Sequence, residues 1–390
     1  MKRTHPLTLS PLSPAELAAV PLDSGAAHLL GLAVVGEQAT PACGNLPMQR
    51  VMAPLLGVSG PADERLGDAW HSAATCITGE AQGIRFGVDN HVLYGVVEVD
   101  EADFPARDGA SALQRATGDA YRRIFRLLDA EGFPDLWRVW NYLADINVES
   151  GAAGDAETVA RGDTAGGGAE SRRAATGTKN DPEESDAKHG GNAALERYRQ
   201  FNIGRQDAFL ACGRLAGGAV PAACALGVRG GPLSIAFMAG REAALPLENP
   251  RQVSAWNYPA DYGPRSPTFA RGTLARLPGQ ALLFISGTAS IVGHRTVHVG
   301  DVAAQTREAL TNIDAVVGEA KRIAGAAPFA LADFDYRAYV RHAADYPAVR
   351  AAMEDVLGSA VPVLYVQADI CRADLLVEIE ATGSLAAESD

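Results

Sequence analysis

The stretch from Gly279 to Glu380 leaves this chain few ways to fold. It opens on an apolar run, Ala281-Leu282-Leu283-Phe284-Ile285, that reaches a turn of small residues, Ser286-Gly287-Thr288-Ala289. It closes on Leu375-Leu376-Val377-Glu378-Ile379-Glu380, whose polar positions are acidic. Between them the pattern predicts a long helix beginning near Asp301, a middle strand and a second helix. Strand, helix, strand, helix, strand, with connections of crossover length, returns the strands to one sheet. Because side chains alternate along a strand, Glu378 and Glu380 share a face with Leu376, opposite Leu375, Val377 and Ile379.

The first half carries a weaker version of the same order. Residues 91–99 read as a strand, and 113–128 as a helix with Tyr121, Ile124, Leu127 and Leu128 at helical spacing. A strand over 136–146, a helix over 194–215 and two strands around Gly230-Gly231 follow. Leu93-Tyr94-Gly95-Val96 resembles Leu283-Phe284-Ile285-Ser286, and Pro221 precedes Phe237 by the same interval as Pro362 precedes Glu378. We read this as an internal duplication. Phe237 then stands where the second copy has Glu378, so only one cleft between the copies keeps its acid. A single active site lined by both halves is expected.

Two stretches stand apart from the repeats. Residues 1–90 read as strands and loops with many Gly and Pro punctuators. Residues 150–192 turn to Gly, Ala, Ser and charge without apolar period, which cannot bury enough surface to offset the entropy of ordering, so a disordered surface insertion is expected there.

Composition closes off several functions. The net charge of −13 speaks against a general affinity for nucleic acid or anionic lipid, and any anionic substrate must be gathered by clustered arginines. Cys43, Cys76, Cys212, Cys224 and Cys371 are odd in number and follow no CxxC spacing, which suits a reducing compartment; a cytoplasmic protein with no membrane span is expected. His294 and His298 lack a third ligand or an HExxH context, so no metal is expected. Neither a Walker A loop nor a well-placed GxGxxG occurs, and no cofactor is expected.

The C-terminal stretch resembles the YjgF/RidA family through Ser286-Gly287-Thr288, the helix sequence Gly300-Asp301-Val302-Ala303-Ala304-Gln305-Thr306-Arg307-Glu308, and Val377-Glu378-Ile379-Glu380-Ala381. Extended upstream, the chain resembles the chorismatases, enzymes that remove pyruvate from chorismate. That likeness is carried by Arg197-Tyr198-Arg199-Gln200-Phe201-Asn202-Ile203-Gly204-Arg205, by Trp256-Asn257-Tyr258-Pro259-Ala260-Asp261-Tyr262-Gly263-Pro264-Arg265-Ser266-Pro267, and by Ile291-Val292-Gly293-His294.

The resemblance implies an α+β fold of duplicated YjgF/RidA-like units in a pseudo-oligomeric arrangement. We divide it into an N-terminal domain over 1–245 and a C-terminal domain over 246–390. It implies Glu378 as the acid that protonates the enolpyruvyl methylene, a task that needs a carboxyl kept protonated near neutral pH by desolvation. Glu380 is expected to be solvated. Cys371 matches the members that form an aromatic product and is expected to assist an intramolecular route. Arg205, Arg265 and Arg271 are the candidate guanidinium forks for the substrate carboxylates. Tyr258 and Tyr262 would hydrogen-bond a carboxylate or cover the ring, and Gly287 and Thr288 would line the ligand turn. The expected activity is conversion of chorismate to pyruvate and 3-hydroxybenzoate, with some 4-hydroxybenzoate, by a monomer or weak homo-oligomer. The competing readings are a 2-iminoacid deaminase of the YjgF/RidA type and a noncatalytic metabolite-binding protein.

Overall fold

The computed structural model describes residues 6–20, 27–36, 44–60, 64–150, 195–215, 220–259, 262–324 and 329–386. Except for Ser150, the expected insertion at 150–192 lies outside them.

The chain begins with β1 (Leu7–Leu12), α1 (Pro14–Ala19), β2 (Leu29–Val35), β3 (Met48–Val51), β4 (Leu55–Ser59) and β5 (Gly67–Ser72). Four of these strands form a sheet in the order β1-β5-β2-β3. The expectation of strands and loops over 1–90 missed α1, which a capping box starts: the Ser13 hydroxyl accepts from the Glu16 N–H, the Glu16 carboxylate accepts from the Ser13 N–H at 2.8 Å, and proline starts the first turn.

A first repeat follows: β6 (Ile77–Ala81), β7 (Ile84–Val88), β8 (Val92–Val99), α2 (Ala112–Glu131), β9 (Asp135–Ala144), α3 (Arg197–Ala211), β10 (Ala222–Val228) and β11 (Leu233–Gly240). The second is β12 (Leu245–Leu247), β13 (Gly272–Leu277), β14 (Gln280–Ala289), α4 (Val302–Ala324), β15 (Phe334–Val340), α5 (Tyr346–Leu357), β16 (Val363–Gln367) and β17 (Val377–Ala386). The sheets run β10-β9-β11-β8-β7-β6 and β16-β15-β17-β14-β13-β12, strand for strand the same, with β4 added beyond β16. In each, the pair at the β10 or β16 end is parallel and the next two pairings are antiparallel. The fold is α+β and duplicated. The division expected at 245/246 falls on β12, and β4 crosses it.

Each repeat lays two helices on one face of its sheet. In α2 the Ser111 hydroxyl caps the Gln114 N–H at 3.1 Å, and Gly132 ends the helix at φ +74°. Leu113, Ala116, Tyr121, Ile124 and Leu128 fall on one stripe and pack against Leu93, Val139 and Phe237. In the second repeat Ile313, Val316 and Val317 of α4 meet Ile285, Val377 and Ile379. The other faces of the repeats and one face of the N-terminal sheet close on a common core containing Trp70, Tyr94, Trp140, Cys224, Met238, Phe284 and Tyr339. Full burial of a side chain such as Phe284 stabilises by about 1.5–3 kcal/mol, so this shared apolar layer is what joins the sheets. Gln280 adds a polar tie, accepting from the Leu7 N–H at 2.9 Å and donating to the Leu7 carbonyl at 2.6 Å.

One expectation is corrected. Phe237 is not the counterpart of Glu378: it faces the helices with Ile235 and Ala239, while its neighbours Ala236 and Met238 face the common core. The prolines misalign the copies by one strand face, because Ala222 after Pro221 turns to the common core and Val363 after Pro362 turns to the helices. The inward positions of β11, Ser234, Ala236 and Met238, nonetheless carry no acid, so the cleft with an acid belongs to β17.

Candidate active site

A cavity of about 280 Å³ opens where β10 and α3 of the first repeat meet β14 and β17 of the second. The seam beside it is pinned by Ser286, whose hydroxyl accepts from the Ala223 N–H at 2.9 Å and donates to the Ala270 carbonyl at 2.5 Å. Both repeats therefore build the walls. Glu378 comes from β17, Gly287 and Ala289 from β14, Cys224 from β10 and Arg205 from α3. Tyr258, Tyr262 and Arg271 come from the segment between β12 and β13, and Cys371 and Arg372 from the β16–β17 connection.

Glu378 is 4% exposed, and among the described residues neither a hydrogen bond nor an ion pair is found to its carboxyl. Burial, reinforced by the charge of Glu380, pushes its pKa up to about 8, against the opposing pull of Arg138, Arg271 and Arg341. The acid has room only because of glycine: a Cβ at Gly287 would lie 1.9 Å from Glu378 Oε1 and 3.0 Å from Cys224 Cβ. The β14 ladder slips between Ile285 and Thr288, so this glycine sits at a bulge.

Two buried guanidinium groups line the same space. Arg205 is 2% exposed, lies 5.2 Å from the Phe201 ring, and has an Nε–H without a partner. Arg271 donates to the Tyr258 hydroxyl at 2.7 Å and the Val253 carbonyl at 2.9 Å, and its Nε–H is also unpartnered. Arg372 lies 4.2 Å from the Tyr262 ring and 5.4 Å from the Tyr258 ring, and donates to the His294 carbonyl at 2.9 Å. The Tyr262 hydroxyl donates to the same carbonyl at 2.6 Å, so the mouth of the cavity is a braced aromatic and cationic cluster. These arginines, with Arg199, outnumber Glu196 and the protonated Glu378 in the lining, so the pocket is basic in an acidic protein.

Cys371 lines the cavity, and burial, with the Glu378 charge adding to it, pushes its thiol up to about 12. It is therefore a neutral thiol at physiological pH.

The chain and its fold match known proteins. The model of the N-terminal part of FkbO/Hyg5-like chorismatases matches residues 68–160 and 185–239. A 3-hydroxybenzoate synthase of Streptomyces hygroscopicus is 32% identical over 335 residues, 83% of each chain. A chorismatase of Streptomyces rapamycinicus is 35% identical over 324 residues, 82% of each chain. The chain belongs to the chorismatase family. A crystal structure of a chorismatase superposes with a TM-score of 0.74 at 30% identity, covering 97% of this chain and 98% of that one.

Within this chorismatase fold, seven of the nine residues singled out from sequence line the cavity: Glu378, Cys371, Arg205, Tyr258, Tyr262, Arg271 and Gly287. Arg265 does not. Its proline-bracketed segment holds it at the surface, where Nε donates to Asp207 Oδ1 at 3.2 Å. Thr288 does not either: Gly287 and Ala289 take the cavity face of β14, and the Thr288 hydroxyl between them donates to the Ser286 carbonyl at 2.7 Å. Glu380, expected in solvent, is 6% exposed and paired with Arg138. His294 Nδ1 lies 3.1 Å from the Tyr262 hydroxyl, and His298 Nε2 lies 3.6 Å from Glu308. No helix among the described residues is long and apolar enough to cross a membrane.

Sequence reasoning missed Tyr198, Cys224 and Arg372. Tyr198 and Arg372 had a signal, since each adjoins a residue or motif already singled out. Cys224 had none, being a small residue in an apolar strand.

Proposed function

We propose that this chain cleaves chorismate to pyruvate and an aromatic hydroxybenzoate, chiefly 3-hydroxybenzoate. The observation that carries this reading is Glu378, a buried, unpaired carboxyl that keeps its proton to about pH 8, facing a cavity walled by Arg205, Arg271 and Arg372. Carbon is a poor proton acceptor, and an enol ether breaks only when its terminal methylene is protonated by a positioned acid. A carboxyl with a pKa near the working pH does this best. Arg205 and Arg271 bring the guanidinium groups that two substrate carboxylates need. The names borne by the relatives agree with this substrate and product.

In the reaction, Glu378 passes its proton to the methylene carbon. The ring C–O bond to the pyruvyl fragment breaks as the oxygen of the neighbouring ring hydroxyl closes on that carbon, forming an arene oxide and releasing pyruvate. The hydroxyl proton restores Glu378. Opening of the arene oxide and loss of a ring proton give the phenol, and the two products together hold every atom of chorismate. Cys371, neutral at this pH, is no nucleophile here. It fills the space beside the acid where a water would otherwise compete with the intramolecular attack.

The test is incubation of the purified protein with chorismate and chromatographic identification of the aromatic product, with a 2-iminoacid assayed beside it. Stoichiometric pyruvate and 3-hydroxybenzoate are expected. Iminoacid hydrolysis without pyruvate release from chorismate would overturn the assignment.

A further inference from the structure

Behind the cavity lies a set of buried ions with no direct part in binding. Arg65 pairs with Asp68 and, at 2.6 Å, with Asp335; Arg337 pairs with Asp68 and stands 3.7 Å from Glu380; Arg138 pairs with Glu380. The N-terminal sheet supplies Asp68, the first repeat Arg138, and the second repeat Asp335, Arg337 and Glu380. Three guanidinium groups thus face three carboxylates, and the set is closed in charge. Glu380 is fixed further by the Tyr339 hydroxyl, which donates to it at 3.1 Å and is itself 2.6 Å from the Tyr142 hydroxyl.

Glu378 is the fourth carboxyl in this region and has no guanidinium of its own. It lies two residues from Glu380 on the same strand and the same face, with Cα atoms about 7 Å apart. Arg138 from β9, Arg271 ahead of β13 and Arg341 after β15 are the cations that act on it. Cys224, Cys371 and Tyr198, also turned toward it, are kept neutral by burial, while Arg205 from α3 and Arg372 from the β16–β17 connection line the same cavity as cations. Arg341 is committed to Asp369 at 2.7 Å, and Arg271 to Tyr258 and Val253. Glu380 is therefore the neighbouring anion that adds to burial in opposing a second negative charge beside it.

We propose that Glu380 is a positioning residue of this site: its carboxylate, held by Arg138, Arg337 and Tyr339 two residues along the strand from Glu378, acts on that acid through space and favours its neutral form. The buried ion network is then a device for leaving one acid uncompensated, and it ties that acid to the joint between the three sheets. This inference rests on Glu378 being the proton donor.

The experiment compares Glu380→Gln with Arg138→Gln. Removing the anion should move the alkaline limb of the kcat/KM profile on chorismate to lower pH by about one unit, and removing the cation should move it to higher pH. A merely structural role would lower activity in both variants without moving their limbs in opposite directions. Should Glu380→Gln fail to fold, an unmoved or lowered limb in Arg138→Gln overturns the proposal. The protonated carboxyl of Glu378 is followed in parallel by its infrared C=O band without substrate, assigned by its loss in Glu378→Gln. If that band titrates at lower pH in Glu380→Gln while the rate profile stays put, the coupling stands and Glu378 is not the acid of the reaction. If the band does not move, the coupling itself fails.

Discussion

The two repeats share a strand order and differ in what they turn toward each other. On β11 the residues facing the common core are Ala236 and Met238; on β17 they are Glu378 and Glu380. The first repeat has become a wall and a source of cations, giving Arg205 from α3 and Arg138 from β9, while the second keeps the acid and the glycine beneath it. Arg205 and the acid thus come from different copies, while Arg271, which also acts on Glu378, comes from the same copy as the acid.

The largest consequence falls on Glu378. Glu378→Gln should lower turnover by about 10³-fold, within the range general acids supply, while a non-cleavable substrate analogue still binds. Stability should move the other way. Burial raises the folded-state pKa from the ordinary 4.5 to about 8, so the wild type carries no penalty below pH 4.5 and the full penalty above pH 8. Relative to the Gln variant, wild type should lose stability progressively across that window, by on the order of 5 kcal/mol at its upper end. Denaturant titrations at pH 5 and pH 9 check this. A difference between the two proteins that is the same at both pH values would mean that Glu378 is not desolvated.

A pair of glycines sharpens the contrast between the repeats. A Cβ at Gly287 would meet Glu378 Oε1, whereas one at Gly95 would lie 2.3 Å from Phe237 Cζ, on the helix side of the first sheet. Gly287→Ala should therefore displace the acid and cut kcat by about 10²-fold, as misplacement of a reacting group by an ångström does. Gly95→Ala should instead cost about 1–3 kcal/mol of stability through overpacking and leave kcat of the folded enzyme near that of wild type. Equal kinetic losses in the two variants would break the division of labour. A smaller effect is expected at Cys371, where Cys371→Gly opens space for water beside the acid. The chromatogram should then show more dihydrodiol and less hydroxybenzoate, with total pyruvate release changed by no more than about tenfold.

The contrast also explains what could be read from the chain unaided. Helical stripes such as Leu113, Ala116, Tyr121 and Ile124, and the repeat order itself, were legible because periodicity reports which side chains share a face. Periodicity does not report what that face meets. Glu378 and Glu380 were placed on one face correctly, yet Glu380 was assigned to water because its partner, Arg138, is 242 residues away on the other repeat. The equation of Phe237 with Glu378 failed for a related reason: a proline fixes where a strand begins but not which of its two faces comes first, and a shift of one residue exchanges them. Arg337, Arg65 and Asp68 gave no local signal, since a charged residue in a strand is ordinarily a solvent-facing one.

Two arginines chosen on the same chemical grounds provide the finest comparison. Arg205 is buried on α3 beside the cavity with a donor to spare, while Arg265 is exposed and shares Asp207 across solvent. Proline brackets gave Arg265 stiffness but said nothing of direction, and an exposed ion pair of that kind contributes between 0 and about 1 kcal/mol. Arg265→Ala should therefore leave KM for chorismate within about twofold of wild type and stability within about 0.5 kcal/mol. Arg205→Met, which keeps the packing on Phe201 but removes the fork, should raise KM by about tenfold or more, since a charge-assisted hydrogen bond is worth about 1.5–3 kcal/mol. Steady-state kinetics on the two variants side by side make the decision. A rise in KM for Arg265→Ala matching that of Arg205→Met would mean that the segment carrying Arg265 turns inward when substrate binds, and that the cavity wall is completed by a charge that lies outside it in this structure.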